Sequence, residues 1–209
     1  MKILKVKITF LEEILGTSPA NTEVYRDYIG SKAPDAGKLE DEVAALGADT
    51  VADLGRTVFP KDAEGRPFLW DYQIKGFFKD ACSMLARCAG KDPVTGKKIP
   101  TNESSKLTAF KKVIDGTIFV EPRRIPIQFD GTTGELQRPL RAQTAQGERV
   151  TLVCSETAPE GATIEIAVTC LNDKDEAAVR EWLDYGRLRG IGQWRNSGKG
   201  RFTWEETKD

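Results

Sequence analysis

Four glycines and three cations surround a single tryptophan in residues 190–202, GIGQWRNSGKGRF. Glycine reaches backbone angles closed to other residues and lets a chain approach a ligand closely. Cations beside such a backbone suit phosphate, and an indole suits an unpaired base. Spacing tests two phosphate-loop signatures. A Walker loop has four residues between its glycines and a Ser or Thr after the lysine. Here five residues separate Gly192 from Gly198, and Gly200 follows Lys199. A dinucleotide fingerprint opens a helix after a strand, whereas this segment follows a helical pattern and leads into a strand. No nucleotide cofactor is expected. Two readings stay open. One is a contact to single-stranded nucleic acid built from Gly190, Gly192, Gln193, Trp194, Arg195, Asn196, Gly198, Lys199, Gly200 and Arg201. The other is a tight turn with solvated cations.

A second candidate surface is EPRRIPIQFDGTTGELQRPLRAQTAQGERV, residues 121–150. Arg123, Arg124, Arg138, Arg141 and Arg149 alternate there with Gln137, Gln143, Gln146 and threonines, and no lysine is present. The stretch reads as a protruding hairpin. Arginine's planar fork suits bidentate phosphate contact and base stacking, so the bias favours nucleic acid over an ordinary charged hairpin. Lys75 and Lys79 add cations near the start of a helix predicted over 72–88, where anions are favoured.

The chain has no histidine, which excludes Ser–His and Cys–His nucleophiles and any imidazole base. Cys82, Cys88, Cys154 and Cys170 form no CxxC pair, so a zinc site is not expected and buried thiols are. Tyr72 would serve as a base only with a strongly lowered pKa, which nothing in the sequence provides.

These residues must be positioned by a soluble α+β fold. The 209 residues are 39% hydrophobic and 30% charged, and no run approaches the roughly 20 apolar residues of a membrane span. The start, MKILKVKITFLEEIL, alternates lysine with aliphatic residues. It reads as a strand over Lys2–Phe10 and not as a leader, so a cytoplasmic protein is expected. Residues 17–65 form a polar insertion, helical in spacing from about Lys38. Leu11 to Glu64 carries 12 acidic and 5 basic residues, Arg87 to Arg149 carries 12 basic and 7 acidic, and Arg187 to Phe202 carries five cations and no acid. The formal net charge of −1 therefore hides a basic face.

DYQIKGFFKDACSMLARCAG has helical periodicity with Gly90 as its stop, and GKDPVTGKKIPTNESSK reads as a loop. GTIFVEP, RIPIQF, RVTLVCSE and ATIEIAVTC read as strands. DKDEAAVREWLDYG reads as a helix ending at Gly186, and GRFTWEE as a last strand. One domain over 1–209 follows: an antiparallel ferredoxin-like or RRM-like sheet with helices on one face.

Three motifs carry a resemblance. The pattern GhGxxxxxGxG before an aromatic residue, met by Gly190, Ile191, Gly192, Gly198, Gly200 and Phe202, resembles the glycine-rich loop of the RAMP superfamily, the repeat-associated mysterious proteins of CRISPR systems. FPKDAEGRPFLWDYQIKGFFKDA resembles the RDP.TG.PYIPGSSLKG.LR segment of backbone subunits of type III effector complexes, with Asp62, Gly65, Pro67, Phe68, Lys75 and Gly76 at matching places. Tyr72 and Gln73 replace its serines. ERVTLVCSETAPEGATIEIAV is similar to the stretch ending in a PAGT turn. Together they span residues 60–202.

The resemblance implies a fold in which the glycine loop lies against the sheet with its N–H groups open to phosphate, and in which single-stranded RNA is the favoured partner. It also implies assembly along the strand or into a CRISPR-type complex. Type III backbone subunits cleave target RNA with an aspartate in the loop after the first strand. Asp35 is the counterpart here, in a poorly matching context, and the expected role is binding without catalysis. A stand-alone prophage-encoded relative would instead bind single-stranded DNA in phage replication, or mimic a backbone subunit and inhibit the host complex. The acidic insertion suits that last alternative.

Overall fold

The computed structural model describes residues 1–20, 56–93, 95–144 and 147–207. Asp35 and the helical spacing from Lys38 lie outside them. The chain divides into two compact units. One comprises residues 1–14, 61–130 and 159–209, and the other residues 15–60 and 131–158.

The first unit is built on four strands: β1 (Lys2–Phe10), β2 (Ile118–Glu121), β3 (Thr163–Cys170) and β4 (Phe202–Glu206). They lie in the order β4-β1-β3-β2, every pair antiparallel, with β1 inside the sheet as its alternation predicts. Val6 faces Ile166, Ile8 faces Ile164, Phe10 faces Phe202 and Val168 faces Val120. All eight are buried, so one face of the sheet is apolar. Lys5, Glu121, Glu165 and Glu205 are exposed on the opposite face.

Helix α1 (Asp71–Leu85) follows β1, and α4 (Asp175–Arg189) joins β3 to β4. Ile74, Phe77, Phe78, Ala81 and Cys82 of α1 are buried at helical spacing, as are Ala178, Val179, Trp182 and Leu183 of α4. The rings of Phe78 and Trp182 meet at 5.4 Å, and those of Phe77 and Phe202 at 5.3 Å, closing helices and sheet into one core. Gln73 begins α1 by accepting the Trp70 N–H at 2.8 Å, the reach-back of a capping box.

The loop expected over 90–106 holds more structure than its composition suggested. Gly90–Lys91 pairs with Lys98–Ile99, and α2 (Glu103–Lys106) follows. A distant carboxylate makes that short helix possible. Glu181 of α4 accepts the N–H groups of Glu103 and Ser104, and the Ser104 hydroxyl donates to it while accepting the buried Trp182 indole N–H at 2.9 Å. Helix α3 (Phe110–Thr117) leads into β2. The described residues thus form a mixed α+β fold of antiparallel sheets and four helices.

The second unit is organised by the hairpin Gly134–Thr144/Gly147–Ala158, with Thr57–Val58 and Ser18–Pro19 added beside it. The basic hairpin expected at 121–150 is therefore displaced. Arg123 belongs to the first unit, as does the strand Arg124–Pro126, which pairs with Phe68–Trp70. Glu156 is buried and accepts the Phe59 N–H and the Thr133 hydroxyl.

None of the four cysteines is in a disulfide. Cys82, Cys154 and Cys170 are buried, but Cys88, expected inside, is exposed because the helix tightens into a 3-10 turn over Ala86–Cys88. Burial pushes the thiols of Cys82 and Cys170 up to about 11. Since the thiolate is the nucleophile, a thiol reagent at pH 8 should modify Cys88 promptly in the native protein and the other three only after denaturation. Rapid native labelling of two or more thiols would contradict this packing.

Candidate nucleic-acid interface

The glycine-rich segment leaves α4 and returns through β4. Helix α4 does not stop at Gly186, as the sequence suggested, but continues to Arg189. Gly186 lies within it for a packing reason, since a Cβ there would collide with the Phe202 ring. The stop is Gly190, with φ +78° and its N–H donated to the Gly186 carbonyl at 3.1 Å.

Gly192, Gly198, Gly200 and the non-glycine Trp194 also have positive φ. Here the outgoing and returning backbones cross. The Ile191 N–H donates to the Gly200 carbonyl at 2.9 Å, and a Cβ on Gly190 would stand 2.6 Å from the Gly200 carbonyl carbon. A Cβ on Gly200 would collide with the Ile191 carbonyl oxygen. The expected row of open N–H groups is largely committed inside the chain. Gly190 donates to Gly186, Gly198 to Arg195 and Gly200 to Glu13.

The cations of the segment are also engaged. Asp80 of α1 accepts from Arg189 Nε at 2.9 Å and Arg195 at 2.8 Å, which raises the Arg189 pKa through that hydrogen bond. Lys199 pairs with Glu13 at 3.2 Å, Arg201 pairs with Glu12 at 3.2 Å, and Arg189 reaches the Asn196 side chain at 2.7 Å. Gln193 and Trp194 are half-buried. Arg187 is exposed at the end of α4.

The other expected cations fall in separate places. Lys79 pairs with Asp115 at 2.6 Å, and Lys75 donates to the Asp115 carbonyl with its ammonium 5.0 Å from the Phe119 ring centre. Both lysines thus face α3, while Asp80 carries the glycine segment. Arg138, expected on an exposed hairpin face, is 7% exposed, and its desolvation lowers the guanidinium pKa. Arg141 faces Val150 and Arg149 faces Ala142 in the hairpin register.

Arg123 and Arg124 are exposed and lie over aromatic rings. Arg123 sits 5.6 Å from the Trp70 ring centre, and Arg124 sits 5.7 Å from both Phe68 and Trp70. The aromatic partners are not apparent from sequence because they lie more than 50 residues away along the chain, in FPKDAEGRPFLWDY. Arg123 also lines a pocket of about 470 Å³ on the helix-free face of the sheet, with Lys5, Glu121, Glu165 and Thr207. Among the described residues no cluster of three or more His, Cys, Asp or Glu is placed to hold a metal. No helix among them is long and apolar enough to cross a membrane.

No protein-family model matches the sequence, and no curated protein matches it in sequence. Solved structures share its fold. A chain of a type IV-B CRISPR complex aligns with a TM-score of 0.52 at 11% identity, covering 99% of this chain and 90% of that one. A chain of a type III-B Cmr-beta complex bound to cognate target RNA aligns with a TM-score of 0.48 at 11% identity. That alignment covers 99% of this chain and 58% of the other, so this protein spans little more than half its length. At 11% identity the likeness is one of fold.

Two glycine variants separate the constraints on the segment. Gly198→Ala meets only left-handed strain, since its nearest neighbour is 3.7 Å away on the Arg201 side chain, and should cost about 1–2 kcal/mol. Gly200→Ala adds a backbone collision and should cost about 3 kcal/mol or more. Thermal melting should show the larger drop for Gly200→Ala. Equal drops would mean that the two backbones do not cross.

Proposed function

We propose that this chain is a non-catalytic, single-stranded nucleic-acid-binding protein of RAMP type, with RNA the favoured ligand. The sheet order β4-β1-β3-β2, with α1 and α4 as crossovers, is read as ferredoxin-like. The observation that carries the proposal is the near full-length fold match to a chain of a type IV-B CRISPR complex. The glycine spacing supports it from an independent direction. In this reading Arg123, Arg124 and Arg187 offer phosphate contacts at once. Arg195, Lys199 and Arg201 contribute by exchanging a carboxylate partner for a phosphate.

The test is fluorescence anisotropy with unpaired RNA and DNA oligonucleotides across about 50–200 mM salt, where each phosphate contact steepens the log–log dependence. Arg195→Ala/Lys199→Ala should weaken binding to all sequences alike and flatten the slope. Unchanged affinity and slope in that variant would make the segment a structural turn only. Assembly along the strand would appear as cooperative isotherms.

A second reading has one specific observation in its favour. The pairing of the segment's cations with Asp80, Glu12 and Glu13 reduces its attraction for polyanions, which suits a protein-directed role such as mimicry of a backbone subunit. Absence of nucleic-acid binding by the parent protein even at low salt would select it.

We also propose that the bound strand is not cut. Cleavage at a 2′-hydroxyl needs a base beside the attacking oxygen and a stabiliser of the developing charge. The arginines fit only the second role. Oligonucleotides incubated for hours at neutral pH, with or without magnesium, should stay intact. Regularly spaced products abolished by Asp35→Ala would establish the endoribonuclease alternative.

A further inference from the structure

We propose that the pocket on the helix-free face of the sheet, where Glu121, Glu165 and Arg123 meet around Ala167, receives an unpaired guanine of the bound nucleic acid. The proposal rests on the nucleic-acid reading above and adds to it a base preference and a place apart from the glycine segment.

The strand register explains why a pocket forms there. Lys5 of β1 faces Ala167 of β3, and Ala167 faces Glu121 of β2, so one row of side chains crosses the sheet. Thr207 extends the row, its N–H donating to the Lys5 carbonyl at 3.0 Å. Alanine is the shortest side chain of the four, and it stands inside the row. The longer neighbours around it leave a pocket of about 470 Å³, within the roughly 300–1,000 Å³ typical of small-ligand pockets. Glu165 lies two residues from Ala167 on the same face of β3. Its Cα is a diagonal neighbour of Glu121, at about 7–8 Å, so both carboxylates can reach one ligand. All of these residues belong to the first unit.

The polar groups are available. Among the described residues, neither the Glu121 nor the Glu165 carboxylate has a hydrogen-bond or ion-pair partner, although Lys7 faces Glu165 in register. The Arg123 side chain is 74% exposed, and its pairing with Asp71 is long at 3.7 Å. Its guanidinium lies 5.6 Å from the Trp70 ring centre. A guanidinium over an indole keeps its edge N–H groups for an anion. The Asp71 N–H donates to the Arg123 carbonyl at 3.0 Å, so the backbone carrying this arginine is fixed before a ligand arrives.

Charges of both signs define the occupant. A phosphate alone would meet two carboxylates, and a lysine or arginine side chain of a partner protein would meet Arg123. A nucleotide satisfies both, because its phosphate suits the arginine and its base can donate to a carboxylate. Among the bases guanine fits best. Its Watson–Crick edge carries two adjacent donors, N1–H and the N2 amino group, which match the two acceptor oxygens of a carboxylate. Adenine and cytosine set an acceptor nitrogen beside their amino donor, and uracil sets its N3–H between two carbonyls. Those acceptors would face a carboxylate with no proton to share.

The test uses the full chain and anisotropy with two unpaired RNA strands of uridines, one carrying a single guanosine and the other inosine in its place. Inosine lacks only the N2 amino group. The guanosine strand should bind roughly 10- to 100-fold more tightly, the span of one hydrogen bond to a charged group. Glu121→Gln/Glu165→Gln should bind the two strands alike. Removing two negative charges strengthens binding of any polyanion on electrostatic grounds alone, so a loss confined to guanosine has the opposite sign. Arg123→Ala should weaken both strands, flatten the salt slope and keep the ratio between them. If the parent binds both strands equally while Arg195→Ala/Lys199→Ala weakens both, the pocket assignment is wrong and the nucleic-acid reading stands. If the parent shows no guanosine preference and instead binds an oligolysine peptide that the double glutamine variant loses, the pocket is a protein contact. If the parent binds neither strand, both readings fall.

Discussion

The ring of Phe202 lies against the one place on α4 where no side chain stands, and the rest of the first unit is arranged around that contact. Gly186 supplies the notch. Any Cβ there would displace Phe202 from its register with Phe10 and from the ring of Phe77. Full burial of such a ring contributes about 1.5–3 kcal/mol. The contact also sets how closely α4 approaches β4, and so how tightly the chain must turn between them. That turn needs Gly190 and Gly200 because two backbones cross with a hydrogen bond between Ile191 and Gly200. These glycines solve a packing problem first. Any ligand chemistry of the segment is confined to what the crossing leaves outward.

Electrostatics follows the same geometry. Register between β1 and β4 places Phe10 beside Phe202, and so brings Glu12 and Glu13 next to Lys199 and Arg201. In the segment that looks most basic in the sequence, Arg195, Lys199 and Arg201 are each paired with a carboxylate in the fold. A phosphate that binds there must displace a carboxylate, so each contact yields only the difference between two charge-assisted bonds. Arg123 and Arg124 differ in kind, because an aromatic ring satisfies the face of a guanidinium without occupying its edge donors.

The parts of this fold legible in the sequence are those set by local periodicity. KILKVKITF gives a half-buried strand, ATIEIAVTC another, and Ile74, Phe77, Phe78 and Ala81 an amphipathic helix, because burial repeats every two residues in a strand and every 3.6 in a helix. What escaped depends on partners far apart in sequence. Gly186 reads as a helix stop until Phe202 is placed against it. Glu181 reads as a surface residue until it caps α2 across 77 residues. Arg138 reads as one more exposed cation of a charged stretch, yet it is buried. The candidate site was legible in residue type at Arg123 and Arg124. Their setting was not, since Phe68 and Trp70 come from another strand.

With a formal net charge of −1, this chain has little long-range attraction for a polyanion, and Arg195, Lys199 and Arg201 of its glycine segment are paired with carboxylates of the same chain. On the proposed reading, affinity then has to come from short-range contacts. Of these, stacking is the term that a charge-balanced protein can supply without upsetting its own ion pairs. A base inside a duplex already has both faces covered, so a stacking contact gains from it only after the cost of unstacking is met. An unpaired base presents a face at once. On that reading, preference for single strands over duplex would follow from charge balance combined with stacking, with no groove-reading element required.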